Sequence, residues 1–554
     1  MNIKTTINVL FRVVLLTTMT FVMSIQTAGA QTKDPVEEAF TRDQKKAYEE
    51  NADVRKGGNL IGMAPQVAIP HFEKAANSSN PVVRRVAIIS LGVCYNALKD
   101  YQKAEQLLLK LAQQGDAYAQ DLLGSIYGVL KDNQKEVQWL TKAAKQGSSG
   151  AQFNLGVCYY NGEGVAKDYQ KAVQWYTKAA EQGHDGAQNN LGNRYCHGEG
   201  VAKDYQKAVH WYTKSAEQGN DNAQNNLGNR YCHGQGVAKD YQKAVQWYTK
   251  SAEQGNADAQ FNLALCYWKG VGVAKDYQKA VHWYTKSAEQ GNADAQNNLA
   301  FHYYKGEGVT KDYQKAVQWY TKAAEQGIAS AQFYLALCYS KGEGVTKDYQ
   351  KAVQWYTKAA EQGNIDAQNN LALCYTNGEG VAKDYQKAVQ LFTKAADKGD
   401  ASAQFNLAFR YYKGQGVTKD YQKAVQWFTK AAGQGNAKAQ LHLGECYYFG
   451  RGVAEDYQKA VQWYTKSAEQ GIAEAQYQLA SCYDMGDGVP EDAKMAVKWY
   501  TKAAEQGHKD AMYSLAVCYE KGTGVAKDMQ KAREWINKLS AKGDGRAKIW
   551  LEKH

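Results

Sequence analysis

A ten-residue segment, NNLGNRYCHG, occurs twice in this chain, at Asn189–Gly198 and again at Asn225–Gly234. If the segment is helical, two of its asparagines and its histidine lie at i, i+3 and i+7 and form one stripe. Such a stripe offers hydrogen-bond donors to a peptide backbone or a carboxylate, and an arginine beside it could hold a carboxylate through two hydrogen bonds. The alternative is a recently duplicated repeat whose polar face only contacts water. The candidate partner-binding residues in the doublet are Asn190, Asn193, Arg194, His197, Asn226, Asn229, Arg230 and His233.

The same segment raises the question of a metal site, because cysteine and histidine both bind zinc. The possible ligands are Cys196, His197, Cys232 and His233. Zinc sites usually separate two ligands by a few residues in a loop, whereas here each Cys–His pair is adjacent on a predicted helix. The two side chains of a pair then point about 100° apart. We therefore predict no metal site and no cofactor.

The chain contains ten cysteines, which would favour disulfides if it were exported. Seven of them are separated by multiples of 36 residues: Cys158, Cys266, Cys338, Cys374, Cys446, Cys482 and Cys518. Equivalent residues of stacked helix pairs are expected roughly 8–10 Å apart, and a disulfide needs Cα atoms within about 7 Å. We therefore predict buried free thiols that act as small hydrophobic side chains.

A run of leucine and phenylalanine also recurs at 36-residue intervals: Leu265, Phe301, Leu337, Leu373 and Phe409. Lysines recur nearby, at Lys269, Lys305, Lys341 and Lys413. An apolar centre with a basic rim is typical of a protein-binding groove, so the Leu/Phe residues join the candidate site. Lysines near helix ends are equally consistent with ordinary solvated charges. No catalytic dyad, phosphate-binding loop or Ser/His/Asp set is evident, and we predict no enzymatic activity.

These residues are positioned by a repeat. From Ala151 the sequence repeats every 36 residues without an insertion, which predicts eleven copies over residues 151–546. Apolar residues at helical spacing predict two helices per copy; in the first copy, Gly162 and Gly164 end one helix and Asp168 caps the next. No copy can bury its aromatic and alanine faces alone, so neighbours must stack. The predicted fold is an all-α solenoid of antiparallel helix pairs.

The remaining segments are predicted as follows. Two shorter, 32-residue copies occupy residues 87–150, an N-terminal helical cap occupies 31–86, and a C-terminal cap occupies 547–554. Residues 1–30 have the features of a removable secretory signal, because an apolar run from Val13 to Ile25 precedes the small-residue sequence Ala28-Gly29-Ala30. An uncleaved membrane anchor is the alternative. We expect a soluble mature chain that is periplasmic or secreted.

The net charge of +11 does not indicate a nucleic-acid partner. Within each repeat Lys, Asp and Glu alternate, which is typical of a solvated helix surface and not of a stripe that follows phosphates. We therefore predict no nucleic-acid binding.

The repeat pattern A-x-x-x-L-[GA]-x-x-Y-x-x-G-x-G-V-x-x-D-x-x-K-A-x-x-W-[YF] resembles the Sel1-like repeat over residues 151–546, and the two short copies look closer to the related tetratricopeptide repeat. The resemblance implies a right-handed superhelix that acts as an adaptor or scaffold for protein complexes. In the tetratricopeptide relatives, the stripe that contains Asn190 lines the concave groove. Exported bacterial members are implicated in host contact and cell-envelope interactions.

Some exported relatives are cysteine-rich and have a reported β-lactamase activity. Their paired cysteines would fall near Ala180 and Gln188, and neither position is cysteine here. No serine is followed by lysine three residues later, so the S-x-x-K signature is absent. We therefore predict a monomeric, non-catalytic adaptor that binds extended peptides or proteins outside the cytoplasm through its concave face. A cell-wall or β-lactam hydrolase and a purely structural spacer are the alternatives.

Overall fold

The computed structural model describes residues 34–554, and this part of the chain contains thirty α-helices and no strand. It divides into two compact units, one ending at Asn292 and the other beginning at Ala293. The all-α fold of paired helices is therefore confirmed. The predicted secretory signal lies outside the described residues.

The first unit contains fifteen helices among the described residues. They are α1 (Pro35–Glu50), α2 (Ala52–Leu60), α3 (Pro65–Ala76), α4 (Pro81–Ala97), α5 (Tyr101–Gln113), α6 (Ala117–Leu130), α7 (Asn133–Lys145), α8 (Ser149–Asn161), α9 (Tyr169–Glu181), α10 (Asp185–His197), α11 (Tyr205–Glu217), α12 (Asp221–His233), α13 (Tyr241–Glu253), α14 (Ala257–Lys269) and α15 (Tyr277–Glu289).

The second unit also contains fifteen. They are α16 (Ala293–Lys305), α17 (Tyr313–Glu325), α18 (Ala329–Lys341), α19 (Tyr349–Glu361), α20 (Ile365–Asn377), α21 (Tyr385–Asp397), α22 (Ala401–Lys413), α23 (Tyr421–Gly433), α24 (Ala437–Tyr448), α25 (Tyr457–Glu469), α26 (Ala473–Met485), α27 (Ala493–Glu505), α28 (Lys509–Lys521), α29 (Met529–Ala541) and α30 (Gly545–Lys553).

Each 36-residue repeat contributes a first helix and a second helix. Within each unit the two helices of a repeat pack on each other, and the second helix packs on the first helix of the following repeat. In the first full repeat these are α8 and α9, and α8 begins at Ser149, two residues before the alanine that marks the repeat in the sequence. Helices of this length gain most of their stability from such packing.

Local chemistry explains where the helices begin and end. The Asp168 carboxylate accepts a hydrogen bond from the Lys171 amide at 2.9 Å and caps α9. Gly162 ends α8 with φ +80°, in the left-handed region that glycine tolerates. Gly164 has φ +70°, and a Cβ there would lie 2.0 Å from the Asn133 carbonyl oxygen, so only glycine fits this turn. The predicted cap and helix-ending glycines are confirmed.

A buried glutamine column, which the sequence analysis did not identify, joins successive repeats. Gln188 Nε2 donates to the Ala180 carbonyl at 3.0 Å, and its Oε1 accepts from Gln218 Nε2 at 2.7 Å. The same pattern recurs at Gln224, with distances of 3.1 and 2.8 Å. These bonds satisfy a polar group inside the helix stack, where an unpaired amide would be destabilising.

The N-terminal helix α1 lies against α4 and α6. The Asp34 carboxylate caps α1 and also accepts from the Ser149 amide of α8 at 2.7 Å. The Phe40 ring stacks on Tyr118 at a centroid distance of 4.1 Å, and Arg85 pairs with Asp43 at 2.6 Å. α1 therefore covers apolar surface at the start of the first unit.

No helix within residues 34–554 combines the length and apolar character needed to cross a membrane.

Candidate functional site

Two asparagines of the doublet, Asn193 and Asn229, and the Leu/Phe run occupy one sequence column of the first helices. Successive members are 36 residues apart, and we call this set the central column: Val157, Asn193, Asn229, Leu265, Phe301, Leu337, Leu373, Phe409, Glu445, Ser481 and Val517. The asparagines and the Leu/Phe residues of this column were predicted as separate features, although the 36-residue period relates them.

Asn193 and Asn229 of the central column bond to buried tyrosines of the second helices. Tyr212 Oη donates to Asn193 Oδ1 at 2.7 Å, and Tyr248 Oη donates to Asn229 Oδ1 at 2.7 Å. Both asparagines are half-buried, whereas the tyrosines are 2% exposed. The asparagines thus stabilise the fold as well as forming part of the surface.

The neighbouring asparagines extend these bonds from one repeat to the next. Asn226 Nδ2 donates to Asn189 Oδ1 at 3.1 Å and to Asn193 Oδ1 at 3.3 Å. Asn190 Oδ1 accepts a long bond from Asn189 Nδ2 at 3.5 Å. Asn189 is buried and was not among the site residues predicted from the sequence. The two adjacent asparagines at the start of the NNLGNRYCHG motif are the feature that could have indicated it.

One repeat later the arrangement recurs. Asn262 Nδ2 donates to Asn225 Oδ1 at 3.0 Å and to Asn229 Oδ1 at 3.5 Å. Asn225 and Asn262 were also missed from sequence. The structure therefore links the asparagines of α10 to Asn226 of α12, and in a second set it links Asn225 and Asn229 of α12 to Asn262 of α14.

The predicted arginines have partners both in their own repeat and in the preceding one. Arg194 is buried, its Nη1 lies 2.5 Å from Glu199 Oε2, and its guanidinium lies 3.9 Å from the centre of the Tyr160 ring. Arg230 Nη1 donates to Gln235 Oε1 at 2.6 Å and to Cys196 Sγ at 3.2 Å. A two-bond carboxylate clamp would have to compete with these contacts.

The doublet histidines are exposed at the ends of α10 and α12. Nδ1 of His197 lies 2.8 Å from the Asn193 carbonyl oxygen, and Nδ1 of His233 lies 2.8 Å from that of Asn229. A carbonyl oxygen only accepts, so Nδ1 carries the hydrogen and Nε2 is left towards solvent.

Within residues 34–554 no three His, Cys, Asp or Glu side chains are grouped in a way that could hold a metal ion. All ten cysteines are free thiols, and nine of them are buried. Burial raises the pKa of Cys338 to about 12 and that of Cys374 to about 11. A thiol that stays protonated is a poor nucleophile and a poor metal ligand.

The five apolar members of the predicted site are half-buried: Leu265, Phe301, Leu337, Leu373 and Phe409. The Phe301 ring contacts Tyr334 edge-on at 6.1 Å, with Lys305 Nζ 5.8 Å from its centre. The Phe409 ring lies 5.6 Å from His442 and 5.5 Å from Lys413 Nζ. Apolar surface bordered by lysine is therefore present in the second unit.

The central column also relates to the residue 19 positions later, which is a tyrosine in most repeats. Where the column holds asparagine, that tyrosine has an acceptor. Where it holds Phe301, the hydroxyl of Tyr320 is buried without a hydrogen-bond partner in the described part of the chain. Where it holds Leu373 or Phe409, the later residue is Phe392 or Phe428, which has no hydroxyl.

Several positions at or within the second helices are constant. Asp168, Ala172 and Lys178 each recur unchanged in all eleven 36-residue repeats. Lys178 Nζ lies 4.3 Å from the centre of the Trp175 ring, and the equivalent pair Lys322–Trp319 lies at 4.1 Å. These positions keep their side-chain chemistry, whereas the central column of the first helices does not.

Thirteen segments of the chain match the family model described as Sel1 repeat. They are residues 87–116, 117–148, 149–184, 186–220, 221–256, 257–292, 293–328, 329–364, 365–400, 401–436, 437–472, 473–508 and 509–544. No curated protein matches the chain.

Many solved structures are similar to it, and two of them illustrate the likeness. One is a protective antigen present in uropathogenic Escherichia coli strains that displays an SLR fold; the two chains are 40% identical, the match covers 73% of this chain and 86% of that one, and the TM-score is 0.69. The other is a Sel1 repeat protein from Oxalobacter formigenes, with 34% identity, coverage of 56% of this chain and 89% of that one, and a TM-score of 0.46.

Proposed function

Because the chain belongs to the Sel1 repeat family, we propose that it is a non-catalytic scaffold that binds partner proteins or extended peptides through its first helices. In each unit the binding surface comprises the members of the central column in that unit, and in the first unit it also includes the doublet residues beside them. The observation that carries the proposal is that this column changes chemistry along the chain, from asparagine through leucine and phenylalanine to glutamate, whereas Ala172 and Lys178 of the second helices recur unchanged.

A physical argument supports this choice. Columns that pack the repeats together must keep their size and polarity, because stability is a sum over repeats and their interfaces. The central column is only half-buried, so its members are under weaker packing constraint. Half-exposed leucine and phenylalanine gain about 25 cal/mol for each Å² of apolar surface that a partner covers.

The chain contains no S-x-x-K sequence, so no observation favours the hydrolase alternative. For location, we propose export, supported by the apolar run and small-residue site within residues 1–30. N-terminal sequencing of the protein from fractionated cells should give a chain that begins near Gln31. A full-length N-terminus would contradict removal of the signal. We also propose a monomer with no nucleic-acid partner, which sedimentation and filter binding would test.

The binding face is tested by two pairs of substitutions in the second unit. Phe301→Asn with Leu337→Asn changes the central column in α16 and α18. Asparagine already occupies this column in α10 and α12, and it would provide an acceptor for the unpartnered Tyr320 hydroxyl, so the fold should be kept. The matched control, Lys322→Gln with Lys358→Gln, changes the second helices α17 and α19.

Both variants and the unaltered protein are crosslinked in the envelope fraction, and captured proteins are measured by quantitative mass spectrometry. We expect the captured amount of a defined set of partner proteins to fall about ten-fold with the first-helix variant, which corresponds to a loss of roughly 1.4 kcal/mol in binding free energy. With the control variant the captured amount should stay the same. Circular dichroism should show equal helicity. Equal capture by all three proteins would refute binding through this column.

A further inference from the structure

Two large apolar side chains are exposed at the turns of adjacent repeats in the second unit. Phe449 directly follows α24 and is 52% exposed, and Met485 ends α26 and is 65% exposed. They are 36 positions apart and so share one column of the repeats. In the other nine repeats this column is polar: Asn161, His197, His233, Lys269, Lys305, Lys341, Asn377, Lys413 and Lys521. A single exposed apolar residue is ordinary, whereas a neighbouring pair in a polar column indicates a contact surface.

The same two repeats differ from the others at a second position, six residues later and just before the capping aspartate. Glu455 and Glu491 occupy it and are exposed, whereas the other nine repeats have lysine there. The turns at 449–456 and 485–492 together contain five carboxylates and one arginine. The preceding turn, 413–420, contains two lysines and one aspartate. The apolar pair therefore has an acidic border in a chain whose net charge is +11.

Contacts between the two turns make them one surface. The Phe449 ring lies 5.0 Å from the Tyr448 ring, which in turn lies 5.0 Å from the Tyr457 ring. Tyr448 Oη donates to Asp487 Oδ2 of the following turn at 2.6 Å. That turn also packs closely on Tyr457, because a Cβ at Gly488 would lie 2.4 Å from the Tyr457 carbonyl oxygen. Phe449, Tyr457 and the following turn are therefore held side by side.

Equivalent lysine–tyrosine pairs show what fits on the Tyr457 ring. In eight other repeats the lysine before the cap lies over the tyrosine that begins the second helix. Lys419 Nζ, for example, lies 4.7 Å from the centre of the Tyr421 ring. Tyr457 follows Glu455 instead and is 37% exposed, and in the described part of the chain no lysine or arginine lies over its ring. A cation from a partner could therefore lie there, beside a carboxylate.

The one cation of the two turns is already engaged. Arg451 donates to the Tyr412 hydroxyl, and its guanidinium lies 4.7 Å from the centre of the Phe449 ring. Glu455 and Glu491 form no ion pair within residues 34–554. The acidic border is therefore not neutralised by the side chains around it.

We call these five residues the docking patch: Phe449, Glu455, Tyr457, Met485 and Glu491. We propose that the docking patch binds a polypeptide segment that combines apolar and basic side chains. Apolar side chains of the segment would cover Phe449 and Met485, and a lysine or arginine would lie over Tyr457. The acidic border favours such a segment over an acidic one. The patch lies at the turns and not in the central column, so this inference goes beyond the proposed function.

The experiment measures binding of a fluorescent peptide to the full chain by fluorescence anisotropy. The peptide is acetyl-(Lys-Leu-Gly-Lys-Phe-Gly)₂-amide, which alternates basic and apolar side chains. A small exposed patch predicts a dissociation constant on the order of 0.1 mM. A second peptide with glutamate in place of each lysine keeps the apolar content and should not bind, because its charge has the same sign as the border.

The two site variants introduce residues that other repeats already contain at the same positions, so the fold should be kept. The apolar variant is Phe449→Asn with Met485→Asn, which leaves the net charge unchanged. The charge variant is Glu455→Lys with Glu491→Lys. Circular dichroism should show the same helicity in both variants as in the unaltered protein.

The matched control is Glu325→Lys with Glu361→Lys, which makes the same change in charge at exposed positions that end α17 and α19. We expect the affinity for the basic peptide to fall at least about ten-fold in each site variant and to change less than about two-fold in the control. Tyr457→Ala, which copies the native Ala493, should weaken binding about three-fold through loss of the cation–π contact.

Four results would overturn the proposal: no binding at about 1 mM peptide, equal affinity in the apolar variant, an equal loss in the control and the charge variant, or equal binding of the acidic peptide. Two others would assign the patch to a different occupant. Sedimentation that shows a dimer of the unaltered protein and a monomer of the apolar variant would indicate a second copy of the chain. Binding to phosphatidylcholine vesicles that the apolar variant loses would indicate a lipid surface.

These outcomes are separable from the test of the proposed function. The substitutions Phe301→Asn with Leu337→Asn leave the docking patch intact, so they should reduce partner capture without changing the affinity for the basic peptide. Failure of either experiment therefore leaves the other conclusion standing.

Discussion

Removing one tyrosine hydroxyl is expected to have opposite effects in different repeats. Tyr212 and Tyr320 occupy the same position of their second helices and are 2% and 0% exposed. Tyr212 Oη donates to Asn193, whereas Tyr320 Oη is buried without a hydrogen-bond partner in the described part of the chain. Phenylalanine is native at this position in Phe392 and Phe428, so the ring alone fits the packing.

The expected magnitudes follow from the hydrogen bonds. Tyr212→Phe removes one bond and should destabilise its repeat by about 1 kcal/mol, the usual net contribution of such a bond. Tyr320→Phe removes a hydroxyl that was desolvated without compensation, which typically costs about 1–3 kcal/mol. This second substitution should therefore be neutral or stabilising.

A repeat array need not unfold in a single step, so the assay should be local. Native-state hydrogen exchange of the backbone amides in α11 and α17 reports the opening free energy of each helix, and about 1 kcal/mol corresponds to a roughly five-fold change in protection. A double-mutant cycle of Tyr212→Phe with Asn193→Leu should give a coupling energy of about 1 kcal/mol.

The matched control is Tyr464→Phe, because the Tyr464 hydroxyl is also buried without a hydrogen-bond partner within residues 34–554. It should behave like Tyr320→Phe. If the Tyr212 and Tyr320 substitutions change protection equally, or if the cycle shows no coupling, the link between the central column and these tyrosines does not contribute to stability.

Further predictions concern the turns, a buried carboxyl group and the thiols. Gly200→Ala should cost at least about 2 kcal/mol more than Gly219→Ala in urea unfolding. Both glycines have positive φ, but a Cβ at Gly200 would lie 2.2 Å from a carbonyl oxygen, whereas a Cβ at Gly219 would have no neighbouring atom within 4 Å. Equal urea midpoints for the two variants would contradict this steric explanation. Burial raises the pKa of Asp121 to about 6, above its usual value of about 4, so the folded state keeps a proton that the unfolded state releases. The contribution of Asp121 to the free energy of unfolding therefore falls as the pH rises from about 4 to about 6. The Asp121→Asn variant should have the same melting temperature as the unaltered protein at pH 4 and a higher one at pH 7. A lower melting temperature of the variant at pH 7 would show that the ionised carboxylate is stabilising. Brief iodoacetamide treatment of the folded protein should label Cys232, the one half-buried thiol, before the nine buried thiols. Peptide mass spectrometry measures the extent of labelling at each cysteine. Preferential labelling of another cysteine would indicate local opening of the structure around it.

Much of the fold could be predicted because its determinants are local. The 36-residue period, the Asp168 cap and the Gly162 and Gly164 turn are readable from residues close together in sequence, and the structure confirms the cap and both glycines. Other features depend on distant neighbours. Asp34 bonds to the amide of Ser149, 115 residues away, and no pattern in either segment indicates this pairing.

The candidate site shows the same division. The period alone places Asn193, Asn229 and the Leu/Phe run on one column, and it correctly put the polar stripe on a helix. It did not show that Arg194 is paired with Glu199, or that buried Asn189 and Asn225 each accept a hydrogen bond from an asparagine of the following repeat. Those relations arise where side chains of neighbouring helices come within hydrogen-bond distance.

The doublet therefore illustrates what the sequence determines and what the tertiary structure determines. By itself, the sequence determined that the chain is a stack of helix pairs and which residue types occur in each column, because periodicity and capping depend on short-range geometry. Only the tertiary structure decided which atom of each asparagine is used internally. A side-chain amide can turn either way, and its direction is set when a tyrosine hydroxyl from the packed second helix meets its oxygen.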